Sequence, residues 1–136
     1  MADSKPHDLT DFLKRQMALR AAVAKDPRYP LDAYLFVCEA VDFTCEKLGK
    51  RRDVTGRELI EGLCDLALEY YGFLAPTVLE RWNITRTDDF GTIVFTLVGV
   101  GLLGKSPRDK MADFENLFNL RETLCQRYRI DEDPEI

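Results

Sequence analysis

Apolar residues recur at helical spacing along most of the chain, and prolines, glycines and polar runs separate the segments that show it. The clearest segment follows Pro30, and its spacing predicts one buried helical stripe: Tyr34, Val37, Cys38, Val41, Cys45 and Leu48. Similar patterns predict helices over 8–25, 55–72, 76–82 and 87–103, and a last helix after Pro107. We therefore predict a mainly α fold, one compact domain of five to six helices over residues 1–130, followed by an acidic tail over 131–136.

Several residues mark helix boundaries. Thr55 and Glu58 have the spacing of a capping box, in which each side chain binds a free backbone N–H of the first turn. Gly72 and Asn83 stand where the third and fourth helices are expected to end, and both residue types tolerate the left-handed conformation found there. The third helix is expected to bury one face: Leu59, Leu63, Leu66, Ala67 and Tyr70.

The segment Thr92–Leu103 is rich in β-branched residues, so its pattern leaves helix and strand open. The outline from Leu74 onwards also fits helix, turn, helix and wing, with a short β-hairpin near 105–118, which is a winged-helix-like arrangement. A helix that contacts DNA carries polar and basic residues near its N-terminus, whereas this one begins with Asp88 and Asp89. The architecture alone therefore does not indicate DNA binding.

Charge and cysteine usage narrow the function classes. Acidic residues outnumber basic ones 24 to 19, for a net charge of -5, which lowers the expectation of nucleic-acid binding. No apolar run approaches the roughly 20 residues of a membrane-spanning helix. The cysteines form no C-x-x-C pair and no signal peptide follows Met1, so we expect reduced thiols in a cytoplasmic protein. The cysteines are Cys38, Cys45, Cys64 and Cys125.

One stretch, Gly99 to Ser106, matches the phosphate-loop pattern G-x-x-x-x-G-K-S letter for letter. In such a loop backbone N–H groups surround the phosphates, the lysine reaches the outer phosphates and the serine binds magnesium. The loop must follow a buried strand and open a helix, but helical spacing precedes Gly99 and Pro107 interrupts the chain after it. We favour a helix end capped by Gly104. The alternative is a nucleotide-binding loop formed by Gly99, Gly104, Lys105 and Ser106.

Two predicted helices carry acidic faces, Glu39, Asp42 and Glu46 on one and Glu58, Glu61, Asp65 and Glu69 on the other. Two-metal sites in helical bundles combine carboxylates with histidines, and the only histidine is His7, near the chain start. A catalytic nucleophile likewise needs a positioned base. We expect solvated acidic faces, with no metal site, no cofactor and no catalytic residue.

The densest positive region is the connector between the second and third helices. It either contacts an acidic partner or phosphates, or complements the dipole of a helix C-terminus while staying in water, and we favour the second interpretation. The partner-binding candidates in it are Lys50, Arg51, Arg52 and Arg57. Small residues also line one edge of the fifth segment and would let another helix approach, within the fold or across a dimer: Gly91, Thr92, Thr96 and Gly99.

Four stretches, "DPRYPLDAYLFVCEAVDFT", "VTGRELIEGLCDLALEYYG", "VLERW" and "DDFGTIVFTLVGVGLL", resemble a family of small, functionally uncharacterised proteins found mainly in planctomycete and verrucomicrobial bacteria. The likeness covers roughly Asp26 to Phe118, and it implies no established activity or site residue. In that family the region of Gly99 to Ser106 is an apolar helix end without both outer glycines, so this chain departs where the phosphate-loop match arises.

These patterns favour a non-catalytic protein-interaction or assembly module, with a protein partner or a homo-oligomer rather than nucleic acid or a membrane. Two alternatives stay open at this point. One is a winged-helix-like nucleic-acid-binding or regulatory protein. The other is a nucleotide-binding protein that uses the phosphate-loop match.

Overall fold

The computed structural model describes residues 4–49, 54–104 and 111–132. Within these ranges the chain forms six α-helices and two 3-10 turns and contains no strand, which confirms the mainly α fold and the predicted number of helices. The helices are α1 Ser4–Lys25, α2 Leu31–Leu48, α3 Gly56–Tyr71, α4 Ala75–Arg81, α5 Thr87–Gly99 and α6 Leu120–Glu132; the 3-10 turns are Gly72–Leu74 and Met111–Phe114.

The segment Thr92–Leu103, whose pattern fits both a helix and a strand, is helical as far as Gly99. The β-hairpin predicted near 105–118 is not observed in its described part, where Met111–Phe114 forms a 3-10 turn and residues 115–118 form no strand. Residues 105–110 lie outside the described ranges. The winged-helix-like arrangement therefore stays unconfirmed, because no described residue forms a wing strand.

Helix α2 is central and packs against α1, α3 and α5. At its crossing with α3 the backbones approach so closely that a Cβ atom on Gly62 would lie 1.7 Å from Thr44 Oγ1. The Thr44 hydroxyl donates to the Ala40 carbonyl at 2.7 Å and so stays within its own helix. Tyr34, Val37 and Cys38 are buried as predicted, whereas the C-terminal part of the predicted stripe is less covered.

The stripe weakens toward the end of α2, where Val41 and Cys45 are half-buried and Leu48 is exposed. Leu48 is the last helical residue, and Gly49 follows it in the left-handed conformation with φ 69°. The prediction that Leu48 is buried is therefore wrong, because the helix ends at the surface at this point.

Helix α3 begins with the predicted capping box. The Glu58 N–H donates to Thr55 Oγ1 at 3.1 Å, and the Thr55 N–H donates to Glu58 Oε1 at 2.9 Å. The predicted ends are also confirmed, since α3 stops before Gly72 and Asn83 takes the left-handed conformation with φ 66° after α4. Tyr70, in contrast, is 47% exposed and not part of the buried face, because it stands in the last turn of α3 beyond the core.

The first residues of α5 join three connecting segments. The Tyr29 hydroxyl donates to Asp89 Oδ1 at 2.6 Å, and the Thr85 and Arg86 N–H groups donate to Asp89 Oδ2. Asp88 Oδ1 accepts from the Asn116 N–H at 2.9 Å. Thr87 Oγ1 accepts from the Leu117 N–H at 3.1 Å, so the segment before α6 is held at the same place.

The connection between α1 and α2 is fixed by hydrogen bonds within itself, from α2 and from a residue just after α4. Arg28 donates two hydrogen bonds to the Asp26 carboxylate, at 2.9 and 2.7 Å. The Tyr34 hydroxyl donates to the Asp26 carbonyl at 2.8 Å, and Asn83 Nδ2 donates to the Arg28 carbonyl at 2.7 Å. The "DPRYP" stretch is thus a structural corner that fixes the start of α2 against the end of α4.

We predict that Gly62→Ala destabilises the fold. Alanine has a helix propensity about 1 kcal/mol more favourable than glycine, but the added methyl group overpacks the crossing against Thr44. The second effect is larger, so we expect the free energy of unfolding to fall by about 1–2 kcal/mol. Urea unfolding measures the change. The control is Gly104→Ala, where a Cβ atom meets nothing within 4 Å. Equal stability of the two variants would contradict the close crossing of α2 and α3.

A second prediction concerns alkaline pH. Burial raises the pKa of Tyr34 to about 12, and burial followed by the hydrogen bond to Asp89 raises the pKa of Tyr29. A tyrosine whose pKa is higher in the folded than in the unfolded state stabilises the fold while its hydroxyl is protonated. This contribution is fully present below the ordinary tyrosine pKa of about 10 and is lost as the pH rises through the folded-state pKa.

We therefore expect the free energy of unfolding to fall as the pH rises from about 10 to about 12. Tyr29→Phe keeps the ring but cannot ionise, so this decline becomes shallower by up to about 1.4 kcal/mol per pH unit. At neutral pH the same variant is about 1 kcal/mol less stable, because it lacks the bond to Asp89. An unchanged alkaline slope would contradict the role given to Tyr29. Urea titrations at several pH values provide the measurement.

Candidate functional site

The phosphate-loop match begins at the end of a helix. The Gly101 N–H donates to the Val98 carbonyl at 3.1 Å, and the Leu102 N–H donates to the Leu97 carbonyl at 2.9 Å. With Gly101 at φ 86°, these two bonds form a Schellman C-cap after Gly99. The predicted helix end is confirmed, but Gly101 and not Gly104 is its left-handed residue.

This geometry places the wrong end of a helix at the match. A helix C-terminus presents free carbonyl groups and a partial negative charge, whereas phosphate is bound by the N–H groups of an N-terminus. Gly99 is the last residue of α5, and Gly104 follows in an exposed, non-helical segment. Lys105 and Ser106 lie outside the described residues. The described part of the match therefore has none of the backbone geometry of a phosphate loop.

Of the four partner-binding candidates in the basic connector, the structure describes only Arg57, and Lys50, Arg51 and Arg52 lie outside the described ranges. Arg57 forms an ion pair with Glu61 at 3.3 Å, one helical turn away. Its guanidinium also lies 5.8 Å from the centre of the Phe118 ring. Arg57 thus has partners within its own chain.

Helix α5 is a core helix. Phe90, Ile93 and Leu97 are fully buried, and the two aspartates at its start bind other parts of the chain. The small-residue edge is also used internally at one point, because a Cβ atom on Gly91 would lie 2.7 Å from the Phe114 side chain. Thr96 is almost fully buried. The close approach that the small residues allow is therefore made within the fold.

The acidic faces are only partly solvated. Asp65 accepts hydrogen bonds from Lys47 at 2.9 Å and from Arg127 at 2.8 Å, which ties α3 to α2 and α6. In the described part of the chain, no three carboxylate, cysteine or histidine side chains come together in a group that could hold a metal ion. Among the carboxylates of the α3 face, Asp65 and Glu61 form ion pairs and Glu58 caps the helix start.

The helices leave one apolar surface uncovered on α1. Leu9, Phe12, Leu13 and Met17, here called the α1 strip, share one side of the helix and are 54–70% exposed. The same helix is covered only farther along, where Leu19 and Ala22 are buried. Helical spacing predicts that such residues share a face, but it does not show that this chain leaves the face uncovered.

A second surface collects aromatic rings from α2, from α3 and from the residue that follows α4. Phe36, Tyr70, Tyr71 and Trp82, here called the aromatic face, have neighbouring ring centres 5.5–6.4 Å apart. Phe36 is buried, Tyr71 and Trp82 are half-buried, and Tyr70 is exposed, so the rings run from the core to the surface. The sequence signal is the run "EYYGFL", in which Gly72 ends α3 beside two tyrosines.

No known protein family, curated protein or solved structure matches this chain. In the described ranges, no helix combines the length and the apolar character needed to cross a membrane.

The thiols give a direct test of burial. Burial raises the pKa of Cys64 to about 12 and also raises that of Cys38, and the thiolate is the form that reacts. Cys125 is exposed. We expect a disulfide reagent to label Cys125 first, and Cys38 and Cys64 only on unfolding, as resolved by peptide mass spectrometry. Labelling of Cys64 as fast as Cys125 would contradict the packing of α3, and Cys125→Ser is the control that removes the fast site.

Proposed function

We propose that this protein is a non-catalytic assembly module that binds a second copy of itself through the α1 strip. The observation that carries the proposal is the exposure of four large apolar side chains on one side of a single helix, with Leu9 65% and Met17 70% exposed. Contiguous apolar surface of this kind is uncommon on proteins that stay monomeric and is typical of interaction sites.

The strip is complementary to itself. Leu9, Leu13 and Met17 are spaced four residues apart and are therefore symmetric about Leu13. Two antiparallel α1 helices related by a two-fold axis at Leu13 would place Leu9 of one copy opposite Met17 of the other, and Leu13 opposite its counterpart. Such isologous contacts are the commonest form of protein dimer.

The charges around the strip also favour a second copy of this chain as the partner. At 100° per residue, the neutral Gln16 lies within the strip and the neutral Thr10 borders it beside Met17, while Asp11 lies on the opposite side of the helix. Lys14 lies about 60° beyond Met17, and Arg20 lies on the same side as the strip but one turn after its last residue. Arg15 lies near α2, where its charge acts on the Cys38 thiol and opposes the rise that burial causes in the pKa of that thiol. The chain as a whole has a net charge of -5, so two copies repel each other over much of their surfaces. The α1 strip offers them a neutral contact.

The size of the strip indicates a weak dimer. Burying a side chain of this size is worth about 1.5–3 kcal/mol, and two strips contribute eight such side chains, already partly shielded from water. Association costs on the order of 4–15 kcal/mol in lost motional freedom. The balance favours a dimer that forms at micromolar or higher concentration rather than a permanent one.

We predict that Leu13→Asp weakens self-association by at least about tenfold, because the two new carboxylates meet at the symmetry axis. Sedimentation velocity across a concentration series measures the monomer–dimer equilibrium. Leu13 is 54% exposed, so the variant is expected to keep its helix content by circular dichroism.

The matched control is Leu31→Asp, which puts the same charge on a leucine that is 42% exposed on α2, outside the strip. It is expected to dimerise like the native chain. A native chain that stays monomeric at millimolar concentration would overturn the proposal, and so would equal effects of the two variants.

A further inference from the structure

The aromatic face is bordered by carboxylates. Asp32 stands in the first turn of α2 and Glu39 lies farther along the same helix, while Glu69 precedes Tyr70 on α3. The Tyr70 hydroxyl donates to the Glu39 carboxylate. Exposed aromatic rings and negative charges therefore occupy one region of the surface.

These carboxylates are not neutralised by cations of the described chain. The ion pairs formed there involve Asp26, Glu61, Asp65, Glu80 and Asp88, and none involves Asp32, Glu39 or Glu69. Arg81, which directly precedes Trp82, also forms no ion pair in this part of the chain. The region thus keeps its negative charge.

The pKa values of the two tyrosines are shifted in the direction that this negative charge requires. The hydrogen bond to Glu39 is the largest cause that raises the pKa of Tyr70, and the charges of Glu39 and Glu69 raise it further. Burial raises the pKa of Tyr71, with additional contributions from Asp32 and Glu39. The carboxylates that contribute to these shifts are Asp32, Glu39 and Glu69.

From this combination we infer that the aromatic face binds an arginine-bearing segment of a protein partner. A guanidinium is flat, so it stacks on the exposed ring of Tyr70 while its N–H groups reach a neighbouring carboxylate. Glu39 accepts one bond from Tyr70 and keeps further lone pairs for such donors. Phe73 and Leu74, exposed in the following 3-10 turn, supply apolar contacts for the rest of the segment.

The charge excludes phosphate-rich partners from this surface, because three carboxylates repel a nucleic-acid backbone. The inference is independent of the α1 strip, since none of its residues belongs to that strip. The two proposals can therefore fail separately.

The test uses two short synthetic peptides that differ only at their charged positions. One carries arginine beside leucine, and the other carries citrulline, which has nearly the same shape and no charge. Isothermal titration calorimetry with the full chain measures both affinities. Trp82 is the only tryptophan and its ring centre lies 6.1 Å from that of Tyr71, so its fluorescence reports whether binding occurs at this face.

We expect the arginine peptide to bind with micromolar affinity, to change the Trp82 emission and to bind more weakly at high salt. We expect the citrulline peptide to bind at least about tenfold more weakly, because it loses the charge interaction. Equal affinity for the two peptides would overturn the inference. Absence of calorimetric binding of the arginine peptide at millimolar concentration would do so as well.

Variants separate the ring from the charge. Tyr70→Leu keeps an apolar side chain but loses the ring face, so affinity for the arginine peptide is expected to fall about two- to fivefold, whereas Tyr70→Phe retains it to within about twofold. Glu39→Gln is expected to weaken binding more than Glu46→Gln, which removes an equal charge from an exposed site on later turns of α2. Equal effects of the two glutamine variants would contradict a specific site.

A last control distinguishes the two proposals. Leu13→Asp is expected to bind the arginine peptide like the native chain, and Tyr70→Leu is expected to keep the native monomer–dimer equilibrium. Loss of peptide binding in Leu13→Asp would show that the aromatic face does not act on its own, and would overturn the inference as stated.

Discussion

The start of α5 is the point on which the arrangement of the other helices depends. Thr87, Asp88 and Asp89 are consecutive and together hold two other parts of the chain. Thr87 and Asp88 bind the backbone of Leu117 and Asn116, before α6, and Asp89 binds Tyr29 in the corner between α1 and α2. Asp89 also accepts two backbone N–H groups of its own helix start. Because a carboxylate that accepts several hydrogen bonds is strongly fixed in position, the direction of α5 and the placement of α2 are set together.

This use of polar groups inside the fold explains which surfaces are left exposed. The acidic residues that begin α5 and several of those on α3 have partners in the chain, and Arg57 lies between Glu61 and Phe118. Among the described residues, no element covers the first half of α1 or the region where α2, α3 and the end of α4 bring their aromatic residues together. The first surface is apolar and symmetric about a single leucine, and the second is aromatic and negative, so the two proposals assign them different partners.

Features set by neighbours in sequence could be predicted, and features set by packing could not. The capping box of Thr55 and Glu58 requires only two residues at fixed spacing. The cap of α5 was harder, because Gly101 and Gly104 both tolerate a left-handed backbone and only the position of the Leu97 carbonyl decides between them. Helical spacing correctly places the residues of the α1 strip on one face. The same apolar spacing is found on a helix face that packs against its own chain and on one that packs against a partner, so it does not distinguish the two. The exposure of Tyr70 also depends on packing, so the spacing of apolar residues along α3 did not predict it.

Hydrogen exchange at two protein concentrations tests most directly whether a second copy covers the α1 strip. Peptides that span residues 9–17 are compared between dilute and concentrated protein, with peptides from α3 as the internal reference. We predict slower exchange over residues 9–17 in the concentrated sample and equal exchange over α3, because a docked partner opposes the local opening of α1. Identical exchange of residues 9–17 at both concentrations would contradict it.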